Sequence, residues 1–219
     1  ILSSISQSKS SSEILPMIEN LESVFLDLGR VLFHLNYRET FEKIFSKSRL
    51  DQDKLKRVLT YNGLNIEFET GKITEEAFFL KMIHQAEFTG SDKEFIQPWI
   101  QILSPIKKNL EFAQELAQKY KIGIISNTNE AHLRFMEKTG GLAAFSEHRI
   151  YSCRVGYMKP RKEIYKAALS QSNAIPQRSI FLDDREENIE TAQSLGFHAY
   201  LFPKGEDLRK FWNEKILHV

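Results

Sequence analysis

The chain has 219 residues, 42% of them apolar, and its 30 basic and 29 acidic side chains leave a formal charge of +1. That length suits one α/β domain or a core with a modest insert, and the near-neutral balance, with no basic stripe, gives no basis for nucleic-acid binding. No apolar run approaches the roughly 20 residues of a membrane span, and the single cysteine, Cys153, excludes an intrachain disulfide.

Residues 1–14 open with a Ser-rich stretch that reads as a loosely held arm. It lacks a charged segment followed by an apolar one, so no signal peptide is expected, and with one cysteine a reducing, cytoplasmic setting is the expectation. Val24-Phe25-Leu26 reads as a buried strand. From 37 to 105 the pattern turns helical, with stripes at Phe41, Ile44 and Phe45, at Leu55, Val58 and Leu59, and at Phe78, Phe79, Met82 and Ile83. Ser91 to Glu94 reads as a capping box, and no strand is predicted in this stretch. Ile106 to Lys121 carries a 3.6-residue apolar period. Strands are expected over Ile122–Ile125, Arg149–Tyr151, Ile180–Leu182 and His198–Phe202. A helix is expected over Arg185–Leu195, closed by Gly196. Strands alternating with helices predict a parallel sheet covered on both faces, interrupted by a helical insert after the first strand.

Polar residues terminate these strands: Asp27 the first, Ser126-Asn127 the second, Asp183-Asp184 the fourth. In an open parallel sheet the C-terminal strand ends share the edge where ligands bind, so these groups converge.

Asp27-Leu28-Gly29-Arg30-Val31-Leu32, Ser126-Asn127-Thr128, Lys159-Pro160 with Glu163-Ile164-Tyr165, and Asp183-Asp184 with Asn188 occur in the order of the four motifs of the haloacid dehalogenase-like superfamily. The resemblance spans about residues 22–205. It implies a Rossmann-like core from 15–36 and 106–219, with 37–105 as a helical cap of the C1 type. It also implies hydrolysis of a phosphate monoester on a small metabolite, a sugar phosphate above all, with Mg²⁺ as cofactor. Asp27 is then the nucleophile that forms a phospho-aspartate. Asp27, Asp184 and the Gly29 carbonyl would hold the metal, whose preference is for oxygen ligands. Ser126 and Asn127 would bind the phosphate, Lys159 would offset its charge, and Asp183 and Asn188 would stand behind them as supports. Arg30, His34 and Arg185 lie close to these motifs, and Glu69 and Gly71 fall in a loop-like stretch of the insert that could face the site; none of the five receives a role from the sequence.

One position departs from the phosphatase pattern. Most phosphatases of the superfamily place a second Asp, a general acid–base, where this chain has Gly29. That help is worth about 10²–10⁴-fold. Three readings follow: a substrate with an easier leaving group, such as the sugar 1-phosphates handled by an Asp-Leu-Gly branch; a 2-haloacid dehalogenase, which needs no acid; or a non-catalytic binding or regulatory module. The sequence assigns no oligomeric state, monomer or homodimer.

Overall fold

In this computed structural model the described residues are 20–60 and 63–217, so the arm read over 1–14 lies outside them. The chain enters through β1 (Ser23–Leu26) and, after a tight loop, β2 (Phe33–Leu35). Helices α1 (Tyr37–Phe45), α2 (Gln52–Thr60), α3 (Gly63–Glu69), α4 (Glu75–Gln85) and α5 (Asp92–Ile100) follow. It returns through β3 (Leu103–Pro105) and α6 (Lys107–Leu116). The remainder alternates: β4 (Lys121–Ser126), α7 (Glu130–Gly140), β5 (His148–Tyr151), the short α8 (Ser152–Val155), α9 (Lys162–Ser172), β6 (Ser179–Asp183), α10 (Glu186–Ser194), β7 (His198–Leu201) and α11 (Leu208–Trp212).

Among the described residues, five parallel strands form a sheet in the order β5-β4-β1-β6-β7. Successive strand side chains point to opposite faces. Val24, Leu26, Ile122, Ile124, Ile180 and Leu182 join one apolar cluster with α6, α7 and α11. Phe25, Ile125, Ile150 and Phe181 join the other, with α9 and α10. Burial on both faces explains why these strands read as unbroken apolar runs. The chain order runs outward from β1 in both directions, so the crevice at the C-terminal end of β1 is the switch point of the sheet. This is the Rossmann-like α/β fold. No helix among the described residues is long and apolar enough to cross a membrane.

Two elements differ from the sequence reading. Leu103–Pro105 is a strand, paired antiparallel with β2 through Leu35↔Leu103 and Phe33↔Pro105. Three residues are too few to show a period of two, and Pro105 sits where a missing N–H is tolerated. The helix read over 106–121 ends at Leu116, because a turn through Gln118 and Lys119 is needed to enter β4.

Helices α1–α5 build a third cluster around Ile44, Leu55, Phe68, Phe78, Met82 and Phe95, with the Phe68 and Phe78 rings stacked at 4.3 Å. The expected capping box is present, with the Glu94 carboxylate accepting from the Ser91 backbone N–H at 2.9 Å. This helical layer is tied to the core. Trp99 stacks on His132 of α7 at 4.2 Å, and Arg134 of α7 pairs with Glu75 of α4 at 2.7 Å. Gly71, at φ +68°, brings the α3–α4 turn against α8, where a Cβ would stand 2.3 Å from the Cys153 carbonyl oxygen. A side chain there meets both a left-handed backbone and a backbone atom. Gly71→Ala is expected to cost about 1–3 kcal/mol, read as a lower thermal unfolding midpoint; an unchanged midpoint would show that the turn yields freely.

Candidate active site

The strand ends bring the polar residues together. Asp27 follows β1 directly, its backbone N–H donating to the Leu182 carbonyl at 3.0 Å. Ser126 ends β4 and is buried; Asp183 ends β6 and is fully buried. Asp27, Ser126, Lys159 and Asp184 border a cavity of about 1720 Å³, with Asp183 just behind them, and Glu69 and Trp99 contribute to it from the helical layer.

Lys159 is the pivot of the site. Its side chain is 1% exposed, and Nζ lies 2.9 Å from Asp27 Oδ1, 2.5 Å from Asp183 Oδ2 and 2.8 Å from the Ile125 carbonyl oxygen. All three ammonium hydrogens are thereby used. Burial opposes the charge, but the two carboxylates outweigh it and hold the ammonium above its ordinary range. Asp27 responds in the opposite sense to its surroundings. Burial pushes its carboxyl up to about 6, while Lys159 pulls it down and Asp183 adds repulsion. The Leu28 N–H also donates to Oδ1 at 2.7 Å. Among the described residues, Oδ2 has no such partner and is the oxygen left for chemistry.

Asp183 is committed to holding this arrangement. Its Oδ1 accepts from Asn188 Nδ2 at 2.8 Å and from the Arg185 N–H at 3.0 Å, while Oδ2 takes Lys159. Asn188 is held in turn, its carbonyl accepting from the Tyr165 hydroxyl at 3.1 Å. The Asn127 side chain clamps the Lys159 main chain on both sides, Nδ2 donating to its carbonyl at 2.9 Å and Oδ1 accepting from its N–H at 2.7 Å. Asn127 thus acts on Lys159 more directly than on the cavity, a pairing that strand-end reasoning misses.

Carboxylate oxygens of Asp27, Asp183 and Asp184 lie within 4.8 Å of one another. With Asp183 saturated, Asp27 and Asp184 remain as donors, and Gly29 borders the same space. An all-oxygen donor set without His or Cys suits a hard divalent cation such as Mg²⁺ better than zinc. Arg30 takes a more direct part than its place after the motif suggests: its guanidinium pairs with Asp184 Oδ2 at 2.8 Å, from a backbone at φ 61°. A bound cation would share or displace that guanidinium. Positive φ is uncommon for a residue with a Cβ and marks the loop after Asp27 as a strained turn. Of the other residues read as near the site, His34 is exposed on β2 and does not border the cavity, whereas Arg185, paired with Glu187, lines its outer part. Trp99 and His132 border the cavity without any sequence signal, since only the packing of α5 on α7 brings them there.

Comparison with known proteins points the same way. Residues 30–202 match the model of the haloacid dehalogenase-like hydrolases. A D-ribitol-5-phosphate phosphatase of Bacteroides thetaiotaomicron is 22% identical over 87% of this chain and 96% of its own. A solved haloacid dehalogenase family enzyme from the same organism, in complex with magnesium and inorganic phosphate, superposes with a TM-score of 0.78 at 25% identity, over 88% of this chain and 99% of that one. A predicted hydrolase of the same kind from Porphyromonas gingivalis gives 0.76 at 25% identity, over 90% and 97%. With three polar strand ends and the loop lysine Lys159 gathered at one sheet edge, and the family match running through most of the chain, this protein belongs to the haloacid dehalogenase-like hydrolases.

Proposed function

We propose that this protein hydrolyses phosphate monoesters of small polyhydroxylated metabolites through a phospho-Asp27 intermediate, with Mg²⁺ as cofactor. The observation that carries the reading is Lys159, buried and fixed between Asp27 and Asp183 beside the free oxygen of Asp27. A phosphate monoester is a dianion, and attack on it by a carboxylate requires positive charge already in place. Lys159 supplies one such charge at no cost of reorganisation, because Asn127 and Asp183 hold it from behind. Ser126, buried at the end of β4, would offer its hydroxyl to a phosphoryl oxygen. Asp27, Asp184 and Gly29 would hold Mg²⁺, which when bound adds charge neutralisation at the phosphoryl oxygens.

In this reading Asp27 Oδ2 attacks phosphorus, the alcohol leaves, and water then hydrolyses the acyl phosphate. The helices of 37–105 act as a cap that excludes bulk water and selects the alcohol. The similarity to a ribitol-phosphate phosphatase and the mixed polar and apolar wall of the cavity support a sugar or alditol phosphate. A dehalogenase, which uses no metal, has no need of the Asp183-Asp184 pair beside Asp27, and a binding module has no need of a buried lysine between two carboxylates.

The test is phosphate release from a panel of sugar 1-phosphates, sugar 6-phosphates and alditol phosphates, with Mg²⁺ and with excess chelator. Release that depends on the metal is expected, and chelation should reduce it to background. Full activity in chelator would remove the metal from the reading. No release from any ester would favour a binding module.

A further inference from the structure

Reading the site as a phosphoester hydrolase, on which this inference rests, leaves one proton without a carrier. An alkoxide departing from phosphorus needs a proton, and the water that attacks next must lose one. Gly29 has no side chain to serve. Among the described residues, the other carboxylates and the one imidazole around the cavity are engaged or unsuited. Lys159 and Asp183 hold each other, and Asp184 pairs with Arg30. His132 has Nδ1 on the Asn129 amide and Nε2 on the Trp99 carbonyl, and burial holds its pKa down to about 4, so the ring is neutral. Glu187 pairs with Arg185, and Asp53 and Glu186 are exposed.

Glu69 differs from all of these. It is the last residue of α3 and borders the same cavity as Asp27. Among the described residues its carboxyl has no hydrogen-bond or ion-pair partner, although the residue is half-buried. No sealed side-chain oxygen among the described residues lacks a partner, so the Glu69 oxygens are not sealed off, and the residue lines the cavity. The helix end that carries it is fixed by the turn at Gly71, wedged against the Cys153 carbonyl. Tyr37 and Arg185 share its corner, and Tyr37 also senses Arg30 and Asp184.

We propose that Glu69 is the general acid–base of this enzyme, reaching the reaction from the helical layer in place of the side chain that Gly29 lacks. Its carboxyl gives a proton to the ester oxygen as the phosphorus–oxygen bond breaks and the Asp27–phosphorus bond forms. Its carboxylate then takes a proton from the water that attacks phosphorus, while the Asp27–phosphorus bond breaks and Asp27 recovers its electron pair. One ester and one water become one alcohol and one phosphate, and Glu69 ends as it began. Burial pushes the carboxyl up to about 7, with the Arg185 charge opposing, so both forms are populated near neutrality.

The experiment compares wild type, Glu69→Gln and Glu69→Asp with Mg²⁺ on two substrates, an alditol phosphate and p-nitrophenyl phosphate. The nitrophenolate needs no proton to leave. In single turnover, Glu69→Gln is expected to slow release of the alditol by about 10²–10⁴-fold, while nitrophenolate release slows only a few-fold. Phosphoenzyme should then accumulate, because water is no longer activated. Glu69→Asp, which keeps the carboxyl but draws it back, should give an intermediate rate, and it carries the test if the amide variant does not fold. Alditol release at the wild-type rate in Glu69→Gln, or a loss confined to KM on both substrates, would overturn the proposal. Wild-type protein that releases phosphate from neither ester would overturn the hydrolase reading and this proposal with it.

Discussion

Asp27→Asn is expected to reduce phosphate release by more than about 10³-fold, with the fold retained. The carboxamide is close to isosteric, and its oxygen can still accept from the Leu28 N–H and from Lys159. Lys159 keeps Asp183 and the Ile125 carbonyl, so no buried charge is stranded. What disappears is the anionic Oδ2, the oxygen without a protein partner, and with it any acyl-phosphate. Asp27 as it stands carries a burial penalty large enough to push its pKa up to about 6. The variant's thermal midpoint should therefore equal or exceed that of wild type, the pattern of a residue kept for chemistry at some expense in stability. Heavy-oxygen water separates the two covalent routes open to such an aspartate. Attack of water on phosphorus places the label in the released phosphate, whereas attack on the acyl carbon, as for a haloacid ester, places it in Asp27. Undiminished turnover in the variant, or label in Asp27, would remove the nucleophile assignment or the phosphoryl route respectively.

The parts of this protein that the sequence exposes are those whose physics is local. β1, β4 and β6 are buried on both faces and so appear as apolar runs, each closed by a polar residue. The capping box at Ser91 and the left-handed Gly196 are signals within a few residues. Parts that depend on distant contact do not show. β3 exists only because Leu103 finds Leu35 across the insert. Asn127 looks like a ligand-binding strand end, yet its side chain is occupied by the main chain of Lys159, 32 residues on. Arg30 receives no role from the sequence, but its guanidinium finds Asp184 across 154 residues. Lys159 itself lies in a loop after α8 rather than at a strand end, so strand-end polarity alone does not place it in the site; the resemblance to known motifs does. Glu69 falls in a stretch without a strong pattern, and only the packing of the α3–α4 turn on α8 turns its carboxyl into part of the cavity wall.

Lys159→Met should be the most destabilising single change at the site, costing about 3–5 kcal/mol at neutral pH, measured by chemical denaturation without divalent metal. Met replaces most of the aliphatic volume, so the loss is electrostatic and not a cavity. Removing the ammonium leaves Asp27 and Asp183 buried side by side, each without its counter-charge, and leaves the Ile125 carbonyl without its donor. One carboxylate must then take up a proton or the site must open. The sign of the pH dependence follows from Asp27. Its folded pKa already lies at about 6 against an ordinary 3.8, and without Lys159 it moves further up. A carboxyl raised on folding is penalised wherever it is ionised in the unfolded chain, from about pH 4 upward, with the full penalty above its folded pKa. The deficit of Lys159→Met relative to wild type should therefore be largest at about pH 7 and above, and shrink as the pH falls towards about 4. A deficit that stays constant across this range would mean that lost packing, rather than two stranded carboxylates, sets the cost. Adding Asp183→Asn to Lys159→Met supplies the complementary check. It removes one of the two stranded charges while keeping an oxygen to accept from Asn188 and the Arg185 N–H, and should recover part of the loss. In the proposed reaction the lysine that stabilises the site would also be the charge that readies Asp27 for attack on a dianion, which would make stability and chemistry at this sheet edge depend on one ammonium group.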